Sequence, residues 1–149
     1  MPIDLFTTFA ERVMDRVEEV LSNRECKWPP SEDQRMLLGM LKAHRGVERA
    51  MPLGEICERM KLPPRVVKDL VQDLRLNYRV QVGASRDANG GGYFLGTNRE
   101  EMVQASTQML HQAVTMLRVV RVMRAEHDSE DLLRQIRLAL TTDIDKEEA

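Results

Sequence analysis

A mainly α domain carrying one small β-hairpin, with long helices at its N- and C-terminal ends, is the fold class that this 149-residue sequence predicts. Apolar residues recur at three- and four-residue spacing through segment after segment. The period drops to two once, where Tyr78, Val80 and Val82 alternate with Arg79 and Gln81. A glycine-rich loop then separates that stretch from Tyr93-Phe94-Leu95. The length suits one domain with helical extensions, and 42% hydrophobic residues suffice for a core. The longest run without a formal charge, Met102 to Leu117, is broken by Gln, Ser, Thr and His and falls short of the ~20 apolar residues of a membrane span. With no basic segment ahead of an apolar one near Met1, the expected location is the cytoplasm, away from any membrane.

Residues 4 to 21 read as an amphipathic helix, with Leu5, Phe9, Val13 and Val17 on one face, Phe6, Val20 and Leu21 beside them, and Glu11, Arg12, Asp15, Glu18 and Glu19 opposite. Trp28-Pro29-Pro30 cannot continue it. Ser31 and Gln34 have the spacing of a capping box for a second helix through His44, with Met36, Leu37, Met40 and Leu41 as its stripe and Gly46 as its stop. After an extended piece at Ala50 to Pro52, a two-turn helix over 53–60 turns Leu53, Ile56, Cys57 and Met60 inward, and Lys61-Leu62-Pro63 forms a turn. Pro64 suits the first position of a helix to Leu76 whose inner stripe is Val67, Leu70, Val71 and Leu74. The hairpin follows, with a long tip over Gly83 to Gly92. Thr97 with Glu100, or Asn98 with Glu101, caps a long helix to about Glu126, and Asp128 or Ser129 opens a last one through Leu140, ahead of an acidic, frayed tail. Three regions result: 1–30, an N-terminal helix and linker acting as a packing or dimerisation arm; 31–97, the domain with the hairpin; and 98–149, the C-terminal helices.

The net charge of −2 hides an uneven distribution: −1 over residues 1–50, +3 over 51–99 and −4 over 100–149. The cationic middle contains the helix from Pro64, whose outward positions are Arg65, Lys68, Asp69, Gln72 and Arg75. Arg and Gln make bidentate contacts to guanine and adenine edges, and Lys suits phosphate. Asp69 and Asp73 oppose that use, because phosphate repels carboxylates. In the hairpin, Arg79 and Arg86, with backbone freed at Asn89 to Gly92, fit contacts to a nucleic-acid backbone. A solvated helix face and a disordered hairpin tip are the plain alternatives.

Little points to chemistry. Cys26 and Cys57 belong to no C-x-x-C pair and are expected as reduced, buried thiols. His44, His111 and His127 have no metal-ligand spacing, and no nucleophile motif surrounds Ser85, Ser106 or Cys57. Gly90 to Gly92 lead into a strand instead of a helix N-terminus, so they do not cradle a phosphate. No cofactor, no metal and no enzymatic activity are expected. The ten methionines are core gap-fillers or an interaction surface, and Trp28 is a plug against the core or a stacking surface for a ligand.

In element order, lengths and turn chemistry, residues 33 to 96 resemble the winged helix-turn-helix family. The resemblance implies binding to double-stranded DNA, with the Pro64–Leu76 helix in the major groove and the hairpin, the wing, at an adjacent backbone or minor groove. The flanking helices make the whole chain similar to the MarR class of dimeric transcriptional regulators, although Arg86-Asp87 stands in place of that class's Asp-x-Arg wing pair. The segment Gly92 to Glu101 also looks like winged-helix proteins of phages and prophages. Arg65, Lys68, Gln72, Arg75, Arg79 and Arg86 are the candidate DNA contacts. A homodimer is expected from Met102, Ser106, Met109, Ala113, Met116, Val120 and Met123, a heptad seam, beside a second stripe of Val103, Leu110, Val114 and Leu117. The competing reading is a protein-interaction module, or a phage replication or packaging component, with nonspecific DNA binding or none. Any small-molecule effector is left open.

Overall fold

Local capping starts the first two helices. In the computed structural model, which describes residues 7–86, 91–124 and 129–148, Thr8 caps α1 (Phe9–Leu21). The Thr8 hydroxyl accepts the Glu11 N–H at 3.2 Å and the Glu11 carboxylate accepts the Thr8 N–H at 2.7 Å, a reciprocal capping box. The helix therefore begins at Phe9 and not at residue 4, since Thr8 is extended (ψ 161°); Leu5 and Phe6 lie outside the described residues. Ser31 and Gln34 form the expected second box ahead of α2 (Glu32–Leu41).

α2 ends at Leu41, three residues before His44. Ala43 and His44 donate to Met40 and Leu41 in i→i+3 turns that tighten the chain toward Gly46, whose φ of 92° suits glycine. The buried face also differs from the expected stripe. Gln34, Leu37, Leu38 and Leu41 are buried and Met36 is 47% exposed. The helix is turned because the Gln34 amide bonds to Asp73, and a satisfied amide can occupy an inward position.

A 3₁₀ turn at Val47–Arg49 leads to β1 (Met51–Pro52), α3 (Leu53–Met60) and α4 (Pro64–Leu76). Lys61 ends α3 in the left-handed region (φ 56°), and Pro64 opens α4 at its first position. Strands β2 (Val82–Ser85) and β3 (Gly92–Leu95) form the hairpin, and β1 adds a third antiparallel strand in the order β1-β3-β2. The sequence suggested only two strands. Pairing of Pro52 with Gly92 depends on the missing side chain, since a Cβ on Gly92 would lie 2.4 Å from the Met51 carbonyl oxygen. Gly92 is therefore buried structure, not free loop. The alternation at 78–82 appears as burial (Tyr78, Val80 and Val82 in, Arg79 and Gln81 out), but the strand starts only at Val82, because Arg79 is left-handed (φ 56°). The tip residues Asp87 to Gly90 lie outside the described residues.

α5 (Arg99–Met123) follows. Of the two capping alternatives the structure takes Asn98 with Glu101: the Asn98 side chain accepts the Glu101 N–H at 2.8 Å. The Glu101 carboxylate accepts the Thr97 N–H at 3.1 Å and the Val47 N–H at 3.0 Å, tying the start of α5 to the 3₁₀ turn. α5 was expected to reach Glu126, which lies outside the described residues. α6 (Ser129–Glu148) runs well past Leu140, so the acidic end is helical and not frayed. No glycine or proline interrupts it, and the Thr142 hydroxyl bonds back to the Leu138 carbonyl at 2.7 Å within the helix.

The chain divides into two compact units, Met1–Thr107 and Gln108–Ala149. The first has a single core in which Val13, Val17 and Val20 of α1 join Leu37, Leu38 and Leu41 of α2, Ile56 of α3 and Val67, Val71 and Leu74 of α4. Burying that much branched aliphatic surface, at roughly 1.5–3 kcal/mol per side chain, is what holds α3 and α4 at a fixed angle. Trp28 is not a plug: it is 66% exposed, with the Lys27 ammonium 5.9 Å from its ring centre. The left-handed residues Asn23 and Glu25 turn the linker outward, and Pro30 is buried instead. Cys26 and Cys57 are half-buried, each as a free thiol.

Candidate nucleic-acid interface

The surface of interest starts from the inner stripe of α4. With Val67, Val71 and Leu74 buried and Leu70 half-buried, the 3.6-residue period leaves Arg65, Lys68, Asp69 and Gln72 exposed along one outward face. α3 sits against α4 through the Lys61-Leu62-Pro63 turn, where the Leu62 N–H reaches the Cys57 carbonyl at 3.2 Å and the Val66 N–H reaches the Pro63 carbonyl at 3.0 Å. These bonds close the turn, and Pro63 and Pro64 hold the entry of the second helix in a single conformation.

The two aspartates that weighed against nucleic acid part company. Asp73 faces its own fold, where one carboxylate oxygen accepts from the Gln34 side-chain amide and the other from that of Asn77. Its charge therefore serves to join α2 to α4. Asp69 remains on the outward face.

Arg75, expected to point outward, is half-buried. Its Nε donates to the Val82 carbonyl at 2.8 Å and its guanidinium lies 5.9 Å from the centre of the Tyr93 ring. Burial lowers the pKa of Arg75 from its ordinary value, with Tyr93 acting in the opposite direction. The Tyr93 hydroxyl is pushed up, chiefly by burial, while the neighbouring Arg75 charge pulls it down. The wing root is thus bolted to the last turn of α4. Two further contacts make it rigid: the Phe94 ring covers Gly83, where a Cβ would lie 2.3 Å from the ring, and the Gly96 N–H donates to the Gln81 carbonyl at 3.0 Å. Helix, turn, second helix and three-stranded wing are now all in place. The domain is a winged helix-turn-helix. Within it Arg79 is exposed at its left-handed position, and Arg86 is exposed where β2 ends.

No family model and no curated protein matches the sequence. Solved structures that it is similar to include MepR, a transcription regulator of the Staphylococcus aureus multidrug efflux pump MepA, at 17% identity and a TM-score of 0.40 over 89% of this chain and 90% of that one. The S. aureus MepR–DNA complex matches at 17% identity and a TM-score of 0.38, over 91% and 88%. A mutant of Lactococcus lactis ZitR matches at 16% and 0.33, over 93% and 99%. Likeness this loose assigns the chain neither a family nor a function.

The residues expected at a dimer seam lie along α5. Met102 is half-buried, and it lies close enough to Gly96 that a Cβ there would come within 2.7 Å of its sulfur. Further along α5, Met109, Ala113, Met116 (68%) and Met123 (78%) are exposed and Val120 is half-buried. Of the second stripe Val103, Leu110 and Val114 are exposed and Leu117 is half-buried. His44 is half-buried with Nδ1 2.8 Å from the Arg49 carbonyl, His111 is exposed, and His127 lies outside the described residues. Among the described residues no cluster of His, Cys, Asp or Glu is placed to hold a metal, and no helix is long and apolar enough to cross a membrane. Sequence reasoning placed Gln34 and Glu101 as local caps and Tyr93 in a strand; what it missed were their partners across the fold, Asp73, Val47 and Arg75.

Proposed function

We propose that this protein is a sequence-specific double-stranded DNA-binding protein, a transcriptional regulator that works as a homodimer in the cytoplasm and carries out no chemistry of its own. The carrying observation is the outward face of α4, where Arg65, Lys68 and Gln72 stand exposed on a helix held rigidly beside a wing that ends in Arg86, while Asp73 is turned inward. A helix in the major groove reads bases with such side chains, and a wing steadies it on the backbone. Arg65 and Gln72 are assigned to base edges and Lys68, Arg79 and Arg86 to phosphates, while Arg75, held by the Val82 carbonyl, supports that surface from within.

α5 is what supports the homodimer. A helix that exposes Met109, Met116 and Met123 along one side, with Leu110 and Val114 on a second stripe, presents apolar surface that a second copy can cover. Twofold pairing through it would place two α4 helices about one DNA turn, ~34 Å, apart. Exposed Asp69 and the net charge of −2 favour the other reading, an interaction module for a protein partner.

Titration of mixed-sequence duplex DNA at increasing salt separates the two. Each phosphate contact releases counterions, so the regulator binds at low salt and loses affinity steeply as salt rises. Absence of binding at low salt would overturn the DNA reading in favour of the protein partner.

A further inference from the structure

The last turn of α4 carries a cation that the fold has turned into a strut. The Arg75 Nε–H fixes the Val82 carbonyl on β2 at 2.8 Å, and its guanidinium lies over the ring of Tyr93 on β3. These strands are paired, with Val82 opposite Leu95 and Ala84 opposite Tyr93, so one helix side chain grips both strands of the wing. Burial disfavours its charge, and among the described residues no carboxylate forms an ion pair with it. Packing alone would be served as well by methionine or leucine, without that desolvation cost. What the guanidinium adds is direction: a planar fork whose Nε–H selects one carbonyl while its charge lies over one ring.

We propose that Arg75 is a positioning residue that sets the angle of the wing relative to the recognition helix, so that Arg86 meets the same duplex that Arg65, Lys68 and Gln72 contact. This rests on the DNA-binding reading above. The lever is long enough to matter. Arg86 lies four residues beyond Val82, which at ~3.3 Å per residue is ~13 Å of strand. A tilt of ~15° at the root moves the far end by ~3.4 Å, beyond the reach of one hydrogen bond.

The test joins a readout in the free protein with one on DNA, in Arg75→Met and in Arg75→Lys, which keeps charge and length but not the planar Nε–H. In the free protein, amide exchange at Val82–Ser85 and Gly92–Leu95 should quicken in both variants, and the Tyr93 hydroxyl should titrate at higher pH in Arg75→Met, where the lowering influence of the cation is gone. On mixed-sequence duplex DNA, Arg86→Ala should weaken wild type by ~10-fold and either Arg75 variant hardly further, whereas Lys68→Ala should cost the same in every background. Additive losses for Arg75 and Arg86, or full recovery of wing coupling by Arg75→Lys, would overturn the proposal. If wild type binds no duplex, the DNA reading fails by itself; unchanged exchange in the wing then overturns the strut as well, and quickened exchange confines it to setting the wing in the free protein.

Discussion

α4 and α5 both present long faces to solvent, and the two faces are made of different material. The outer face of α4 is Arg65, Lys68, Asp69 and Gln72, side chains that lose nothing by staying in water, while Val67, Val71 and Leu74 of its apolar stripe are buried in the core. α5 exposes Met109, Leu110, Met116 and Met123. At about 25 cal/mol per Å² of apolar surface, a strip of that kind has a standing incentive to be covered. The first helix is complete within one chain, and its polar face is stable in water. The second is incomplete within one chain.

The largest expected effect comes from removing that incentive. Charged substitution of both residues, Met109→Glu with Met116→Glu, should give a monomer in sedimentation and, by removing one of two half-sites, lower DNA affinity by more than ~100-fold. A dimer that persists would mean that α5 is covered in another way. Next is Arg65→Ala, which should cost about 1–3 kcal/mol of binding and relax preference at one base pair, read by competition among single-base variants of a binding site. Asp73→Ala should lower stability by about 1–3 kcal/mol, because the amide of Gln34 loses its acceptor inside the fold, and should leave the salt dependence of DNA binding as it was. A steeper salt dependence would show that Asp73 does face the groove. The smallest effect is that of Lys68→Ala, a weakening shared by all sequences with the salt slope reduced by about 1.

What could be read from the sequence was local. The Ser31–Gln34 box, Pro64 at the start of α4 and the three- and four-residue spacing that turns Arg65, Lys68 and Gln72 outward are each decided within one or two turns of chain. What could not be read was decided across the fold. β1 is two residues long and exists only because Gly92, forty positions later, lets the backbones approach. Arg75 has the helical spacing of an outward residue, and it is turned aside by the Val82 carbonyl and the Tyr93 ring, contacts that no periodicity announces. Trp28 has the composition of a plug, and left-handed turns at Asn23 and Glu25 send it to the surface. The Asp73 charge looked like an obstacle to DNA until Gln34 and Asn77 were seen to occupy it.

Selection of binding sites from a random pool of duplex DNA by the unmodified protein tests base reading by α4 and pairing through α5 together. The account predicts an enriched site made of two inverted copies of one short half-site, their centres ~10 base pairs apart. A pool that stays unenriched after binding, or one that yields a single half-site with no inverted copy, would contradict it.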